Sequence, residues 1–410
     1  MTSSYEIVLE GHMPTGREKF YENVPFAMPP NVRRLDVRYD YSDKIGSDPH
    51  LTGGNTVDIG LFDHRGVDFL NAGFRGWTGS ARSEFFITGT NATPGYLRGP
   101  LTAGRWYVCL GFYKVGPNGC DFRVTVRFTF GDEQTVEMPA LLALDTPQKP
   151  YPASADGWYK GELHCHSVNS DGDSTAQDVI IQAQALGLDF LAITDHNNLT
   201  HLADLARLVG EGFPNLMLIP GCEVTTYRGH WNVWGLEEWV DFRIVSHNDM
   251  RRAINFAVER DYLTSCNHPR DYGPMWEYDD VEGYHCVEVW NGPWRLFNEQ
   301  SLAFWEKRLR EGKQLVAVGG SDMHRLKSAH HAHIATPTMW IYCSGEPSAS
   351  GILAGLRAGH AFISDAPDGP QIYLSSGDAI MGDVLPYADA VDVQVRVVNG
   401  KATCLQLIDA

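Results

Sequence analysis

The sequence predicts an α/β protein with an all-β sandwich over residues 1–150, followed by a strand–helix barrel over residues 151–345. Three observations predict this fold. Residues 1–150 contain short runs that alternate apolar and polar side chains between turn-forming clusters, which is typical of an antiparallel sandwich. From residue 158 onward, apolar strand-like runs alternate with amphipathic helical segments. Histidines and carboxylates follow the apolar runs, at the end where a barrel of parallel strands carries its chemistry.

The strands of the predicted sandwich come first in the chain. The clearest alternating runs are residues 34–39, 56–62, 83–87, 106–113 and 122–130. Aromatic residues in this part could form the sandwich core or a sugar-stacking platform, and the core interpretation is the more common one for Trp77, Trp106, Tyr107 and Tyr113. Residues 147–153 contain three prolines and no periodicity, so we expect an interdomain linker there.

In the second part, we expect the first helix over residues 174–186, with Ser174 and Gln177 as a capping box and Gly187 as its end. The other predicted helices are residues 202–209, 249–260, 299–311 and 350–356. The predicted strands are residues 158–163, 190–194, 216–220, 231–236, 263–266, 286–290, 315–318 and 338–343. Up to residue 318 these strands number about seven, which favours a closed or distorted barrel. Residues 346–410, with strand-like runs at 391–398 and 403–408, should pack on the barrel or the sandwich.

Charge and composition narrow the classes of function. The 410 residues include 33 lysines and arginines against 51 aspartates and glutamates, for a net charge of −18. This charge argues against a nucleic-acid or anionic-membrane partner, so we expect a small-molecule substrate. The eight cysteines include no CxxC pair and are expected to be buried and unpaired. The sequence shows no signal peptide and no run long enough to span a bilayer, which predicts a cytoplasmic protein. It makes no prediction of oligomeric state.

The chemistry centres on residues 162–171. His164 and His166 are two residues apart at the end of a strand, so their imidazoles should face the same side and could bind one ion, with Asp171 close by. An isolated pair of this kind is more often solvated or hydrogen-bonded within the protein. Here, however, further candidates follow other apolar runs, namely His196, Glu223, His230, His268, Asp322 and His324. Imidazole and carboxylate ligands without an evident thiolate predict two or three divalent ions of Zn, Mn or Fe.

This pattern resembles the PHP (polymerase and histidinol phosphatase) superfamily over about residues 158–335. The resemblance implies a distorted (βα)7 barrel with a trinuclear centre. It implies a first ion on His164, His166, Glu223 and Asp322, a second on Asp171, His196 and His324, and a third on Glu223, His230 and His268. His247 and His285 are alternatives to His230. The fused sandwich and residues 223–227 (EVTTY) and 229–232 (GHWN) are similar to the CehA/McbA branch, which is named for carbaryl hydrolases.

The predicted activity is the hydrolysis of a small phosphoester by a metal-activated hydroxide. The alternative is a carbamate, carboxylic-ester or amide hydrolase, and a binding module or nuclease is less favoured. Asp195 is expected to orient a ligand. Arg228 and Arg270 could clamp a phosphate, or could be ordinary loop arginines in salt bridges, such as one between Arg270 and Asp271. Glu288 and Asn291 could line the pocket or form hydrogen bonds at a sheet end.

Overall fold

A computed structural model describes residues 3–71, 73–131, 136–328, 332–400 and 404–408. Its first part contains eight strands: β1 (Ser4–Met13), β2 (Phe20–Met28), β3 (Val32–Tyr41), β4 (Thr56–Phe62), β5 (Phe74–Gly79), β6 (Glu84–Thr88), β7 (Gly104–Lys114) and β8 (Cys120–Phe130). They form two antiparallel sheets, with strand orders β1-β8-β3-β6 and β2-β7-β4-β5. Residues from both sheets, such as Leu35 and Val108, share one buried core. The architecture agrees with the predicted sandwich.

The second part alternates strands and helices. Its elements are β9 (Trp158–Glu162), α1 (Ala176–Ala185), β10 (Phe190–Leu191), α2 (Thr200–Gly210), β11 (Met217–Leu218), β12 (Gly221–Thr226), β13 (Gly229–Trp234), α3 (His247–Val258), β14 (Leu263–Cys266), β15 (Cys286–Asn291), α4 (Asn298–Arg310), β16 (Val316–Gly320), β17 (Thr338–Tyr342), α5 (Ala349–Arg357) and β18 (Ala361–Ser364). They form two five-stranded sheets, with strand orders β11-β10-β9-β17-β18 and β12-β13-β14-β15-β16.

The two sheets meet through single bridges at the carboxyl ends of their strands. Cys165, just after β9, pairs with Met323, and His196 pairs with Glu223 of β12. β12 and β13 form an antiparallel hairpin, with no helix between them. The regular strand–helix alternation is therefore interrupted at this hairpin, which the sequence analysis did not predict. The (βα)7 barrel itself stays a prediction.

The cap of α1 differs by one residue from the predicted one. Thr175, and not Ser174, is the N-cap, and its hydroxyl accepts a hydrogen bond from the backbone N–H of Asp178. The Asp178 carboxylate accepts the backbone N–H of Thr175 in return, so the capping box uses Asp178 in place of Gln177. Gly187, at a positive φ of 66°, follows the end of the helix as predicted.

The carboxyl-terminal strands β19 (Gln371–Ser376), β20 (Ala379–Ile380) and β21 (Gln394–Val398) form a small sheet. The ring of Tyr373 lies 5.4 Å from that of Trp158 in β9, so this sheet contacts the second part of the chain. The predicted strand at 403–408 is wrong for residues 404–408, which form none, and Thr403 lies outside the described residues. Near the start of the predicted linker, Gln148 exchanges two hydrogen bonds with the backbone of Leu218.

Aromatic side chains join the sandwich to the second part. Phe74 of β5 stacks on Trp239 at 4.3 Å between ring centroids, and Trp77 lies 4.4 Å from Phe242. Trp77 and Trp106 are buried, which supports the core interpretation over a sugar platform for these two residues.

The eight cysteines are unpaired, and seven of them are buried. Across the described ranges, no helix has the length and apolar character needed to cross a bilayer.

We predict that Phe74→Ala lowers the free energy of unfolding by about 3–5 kcal/mol, because it removes a buried ring and leaves a cavity against Trp239. Chemical denaturation followed by tryptophan fluorescence would measure the change. Tyr387→Ala is the control, since this side chain is 94% exposed and its loss should change stability by less than about 0.5 kcal/mol. Equal losses in the two variants would contradict the role of this contact.

Candidate metal centre

The nine predicted ligands come together at one edge of the two sheets, where most of them follow the ends of strands and His230 lies at the start of the antiparallel β13. They form three groups whose donor atoms lie within 4.8 Å of one another: His164, His166, Glu223 and Asp322; His166, Asp171, His196 and His324; and Glu223, His230 and His268. The first and third groups have the membership that the PHP resemblance implies. The second contains His166 in addition to the three expected residues, so the first and second groups share this histidine.

Glu223 of β12 is the carboxylate that links the groups. Its Oε1 lies 3.2 Å from Nδ1 of His230 and 3.3 Å from Nε2 of His268. Its Oε2 lies 2.9 Å from Nδ1 of His196 and 3.5 Å from Nε2 of His166. Because its two oxygens face different histidines, Glu223 can bridge two ions.

Asp322 and Asp171 complete the first two groups. Oδ1 of Asp322 lies 3.0 Å from Nε2 of His166 and 3.4 Å from Nε2 of His164. Oδ1 of Asp171 lies 3.3 Å from Nε2 of His324. The side chain of Asp171 is 45% exposed, whereas that of Glu223 is 1% exposed, so the Asp171 end of the cluster faces solvent.

The electrostatics of the cluster favour bound cations. Burial alone would raise the pKa of Glu223, but His164, His230 and His196 outweigh it and hold the pKa well below its usual value. Burial together with the neighbouring His324 and His196 lowers the pKa of His166 to about 4. Against the effect of burial, Asp171 and Glu223 raise the pKa of His196 to about 9. The cluster thus combines ionised carboxylates with one neutral and one protonated imidazole, and a divalent ion would take the place of the proton on His196.

The residues fit divalent ions by a second criterion. Nε2 of His164 and Nε2 of His230 are buried and have no hydrogen-bond partner. Across the described residues, the carboxylates of the cluster form ion pairs with histidines, and none with a lysine or arginine. Buried polar atoms and buried charges require partners, so these atoms are suited to bind cations.

Glu288 and Asn291, at the end of β15, hold ligands in place. Glu288 Oε1 lies 2.7 Å from Nδ1 of His164, which positions a proton on Nδ1 and leaves Nε2 directed at the cluster. The amide of Asn291 donates to Glu288 and, at 3.3 Å, to Oδ2 of Asp322. The sequence left open a pocket lining or hydrogen bonds at a sheet end, and neither interpretation included this support of the ligands.

Glu162, the last residue of β9, was not among the predicted site residues. Its buried carboxylate accepts hydrogen bonds from the backbone N–H groups of His164, Ser321 and Ala335. It therefore ties the loop that carries His164 to the loop that carries Asp322. The sequence does contain a clue to this role, because Glu162 is a carboxylate two residues before the first predicted ligand, near the end of a predicted strand.

Asp195 has no exposed surface and contacts none of the nine ligands through a hydrogen bond. It accepts hydrogen bonds from the backbone N–H of Ser167 and from the hydroxyls of Ser167 and Ser170. Asp195 thus orders the loop between His166 and Asp171. The predicted orienting role is consistent with these contacts, although it acts through the loop and not on one ligand directly.

The two arginines proposed as phosphate clamps are engaged elsewhere. Arg228 pairs with Glu277 at 2.5 Å and is partly exposed. Arg270 is buried and donates to Asn298 Oδ1 and to both oxygens of Asn291. The alternative interpretation, a salt bridge between Arg270 and Asp271, is wrong, because the two terminal nitrogens of Arg270 donate to Asn291 and Asn298 instead. Arg270 therefore supports the residue that holds Asp322.

The alternatives to His230 are not part of the cluster. His247 bonds to the surface carboxylate of Asp280, and Nδ1 of His285 lies 3.1 Å from the hydroxyl of Thr264.

Two ligands adopt a backbone conformation that residues other than glycine disfavour, with φ of 31° at His268 and 51° at Asp322. Such conformations cost free energy and concentrate at functional sites.

Comparison with known proteins agrees with the domain that these ligands indicate. Residues 162–285 match the PHP domain family and include every member of the cluster except Asp322 and His324. A curated relative, the 5'-3' exoribonuclease Rnm of Salmonella typhimurium, is 28% identical over 137 residues, which are 33% of this chain and 43% of the relative. The chain thus spans less than half the length of this relative. The match of residues 162–285 to the PHP domain family supports the predicted PHP resemblance and the predicted class of metal-dependent hydrolase.

Two solved structures show limited similarity. A two-domain protein from Bacteroides vulgatus, containing a predicted PHP-like metal-dependent phosphoesterase, has a TM-score of 0.39 and 21% identity over 58% of this chain and 70% of its own. An amidohydrolase from Chromobacterium violaceum has a TM-score of 0.31 and 18% identity over 42% of this chain and 89% of its own.

We predict that His164→Ala and Asp322→Ala each lower the metal content of the purified protein and abolish metal-dependent turnover with the fold largely kept, because each removes a donor atom from the first group. Metal analysis by mass spectrometry and a thermal unfolding curve would measure both effects. His12→Ala, at an exposed histidine outside the cluster, is the control. Native metal content or turnover in either ligand variant would refute the assignment.

Glu162→Gln should lower the stability of the protein by about 1–3 kcal/mol, because an amide nitrogen cannot accept the backbone N–H groups that a carboxylate oxygen accepts. Chemical denaturation of the metal-free protein would measure the loss. Glu6→Gln, at an exposed carboxylate on the sandwich, provides the matched comparison. A loss no larger at position 162 than at position 6 would show that the backbone contacts of Glu162 contribute little.

Proposed function

We propose that this protein is a multinuclear metal-dependent hydrolase that cleaves a small phosphoester. The observation that carries the proposal is the shared use of Glu223 and His166, which links the three groups of ligand atoms into one centre. The PHP match supports a hydrolase, and the curated relative's name describes an enzyme that cleaves phosphodiester bonds. The net charge of −18 disfavours RNA, so a small substrate is the better expectation for this chain.

The three groups would hold two or three divalent ions of Zn, Mn or Fe, as their mixture of imidazoles and carboxylates favours. Such ions supply Lewis acidity and, by lowering the pKa of water to about 7, a nucleophile at neutral pH. The chain's own contribution is to fix the ligands. Glu288 holds the Nδ1 proton of His164, and Asn291 orients Asp322.

Nearby serines are engaged in structural hydrogen bonds, which argues against a serine nucleophile. The hydroxyls of Ser167 and Ser170 donate to Asp195 at 2.6 Å. The hydroxyl of Ser321 donates to the backbone carbonyl of His164. These contacts favour hydrolysis by water over a covalent intermediate on a hydroxyl.

A carbamate, carboxylic-ester or amide hydrolase is the second candidate. One observation favours it: both predicted arginine clamps already have protein partners, Glu277 for Arg228 and the side chains of Asn291 and Asn298 for Arg270. In addition, the loop that follows Asn291 exposes Trp294 and Phe297, which could receive an apolar leaving group. The CehA/McbA resemblance is part of this second proposal.

The proposal also includes the distorted (βα)7 barrel. The strand pairings support it, since β9 pairs with β10, β12 through β16 form one continuous sheet, and the bridges at His196 and Cys165 connect the two sheets. We further propose the predicted division into residues 1–150, 151–345 and 346–410, a cytoplasmic location and a small-molecule substrate as the partner.

The proposal is tested by a paired rate assay on metal-reconstituted protein with p-nitrophenyl phosphate and a naphthyl carbamate, each with and without chelator. We expect phosphate release that chelator abolishes, because the nucleophile depends on bound ions. Asp322→Ala is the matched inactive variant. Chelator-sensitive cleavage of the carbamate alone would favour the second candidate. Phosphate release that resists chelator would refute a metal-dependent reaction.

A further inference from the structure

We propose that the sandwich positions the metal ligands by gripping two of the loops that carry them. The first is the turn of the β12–β13 hairpin, between Glu223 and His230. The second is the loop between His166 and Asp171. This inference rests on the proposed metal centre, and it assigns to the sandwich a function in that centre in place of a separate binding role.

Tyr227 anchors the hairpin turn in the sandwich. Its ring stacks between Tyr21 of β2, at 5.0 Å between centroids, and Tyr113 of β7, at 5.1 Å. Its hydroxyl donates a hydrogen bond of 2.6 Å to Oδ2 of Asp58 in β4. One side chain of the hairpin is therefore held by three strands of a single sandwich sheet.

Gly111 of β7 makes room for this anchor. A Cβ atom at position 111 would lie 2.1 Å from the hydroxyl oxygen of Tyr227 and 2.9 Å from the ring of Trp77. Any side chain there would displace the tyrosine or the indole. The glycine is thus required by a contact between the two parts of the chain.

Hydrogen bonds of residues in the turn lie beside two of the predicted ligands, His230 and His196. The Thr226 hydroxyl donates to the carbonyl of Gly229, closing the turn beside His230. The Thr225 hydroxyl lies 2.5 Å from Nδ1 of His196. At the surface, Arg228 pairs with Glu277, which also binds Lys19 of the sandwich. The turn is consequently fixed on its buried side and on its exposed side.

The second grip acts on the loop that carries Asp171. Arg82, between β5 and β6, donates a hydrogen bond of 3.1 Å to the carbonyl of Val168. Gly95 lies against the next residue, because a Cβ at that position would be 2.9 Å from the carbonyl oxygen of Asn169. The sandwich therefore contacts this loop midway between two ligands, His166 and Asp171.

Three variants of the whole chain test the hairpin and loop grips. Gly111→Ala and Tyr227→Phe disturb the first grip, one by a clash and the other by removing only the hydroxyl. Arg82→Ala removes the second grip. Tyr151→Phe is the matched control, because the Tyr151 hydroxyl likewise donates to an aspartate, Oδ1 of Asp189 at 2.9 Å, outside both grips. Arg123→Ala, at an exposed salt bridge, controls for Arg82.

Two measurements apply to each protein. The first is Zn²⁺ affinity, by competition with a chromophoric chelator. The second is hydrogen–deuterium exchange of the metal-free protein over residues 166–171 and 223–230. We expect the grip variants to bind Zn²⁺ about tenfold more weakly, the size of effect typical of residues that support metal ligands. We also expect faster exchange in the gripped segment, with both controls unchanged in these two measurements.

The two measurements separate failure of this inference from failure of the proposed function. If the native protein binds no Zn²⁺, the metal centre is wrong, and exchange alone then decides whether the sandwich holds the loops. Native exchange in Tyr227→Phe and Arg82→Ala would overturn the inference, even if Gly111→Ala fails to fold. Native Zn²⁺ affinity in these two variants would also overturn it, because the grips would then have no effect on the ligands.

Discussion

The buried carboxylate of Glu223 is the interaction on which the site depends. It lies at 1% exposure among five histidines and also accepts a hydrogen bond of 3.0 Å from the Asn267 amide. A buried negative charge is costly unless cations or donors surround it. Histidines in or just after β9, β10, β13 and β14 surround this carboxylate of β12, so the fold around it is organised to supply positive partners.

Much of the fold follows from local patterns in the sequence. Alternation over residues such as 122–130 predicts β8, and helical spacing predicts α1 to within two residues at its start. The β12–β13 hairpin was missed because its strands are buried on both faces, so they lack the alternation that distinguishes a hairpin from successive parallel strands. The N-cap of α1 was predicted one residue too early, at Ser174 and not at Thr175, because serine and threonine are both suitable N-cap residues.

The metal ligands themselves were easier to predict from the sequence than the residues that hold them in place. Histidines and carboxylates that follow apolar runs can be identified as candidate ligands, because strand ends converge at one edge. The partners of Arg270 could not be predicted, since Asn291 and Asn298 are more than twenty residues away and their amides carry no charge signal. Glu162 was missed for a related reason: its partners are backbone N–H groups, which are the same for every residue type.

The junction between the two five-stranded sheets has a consequence for folding. The sheets are joined by single bridges at His196–Glu223 and Cys165–Met323, which involve two ligands and lie beside four others. Ions bound at this junction would hold the sheets together from the inside, and they would bind the folded chain in preference to the unfolded one. Free metal at one hundred times its dissociation constant would then add about 2.7 kcal/mol to stability. The supply of metal in the surroundings would set how much of the chain is folded, before any substrate is bound.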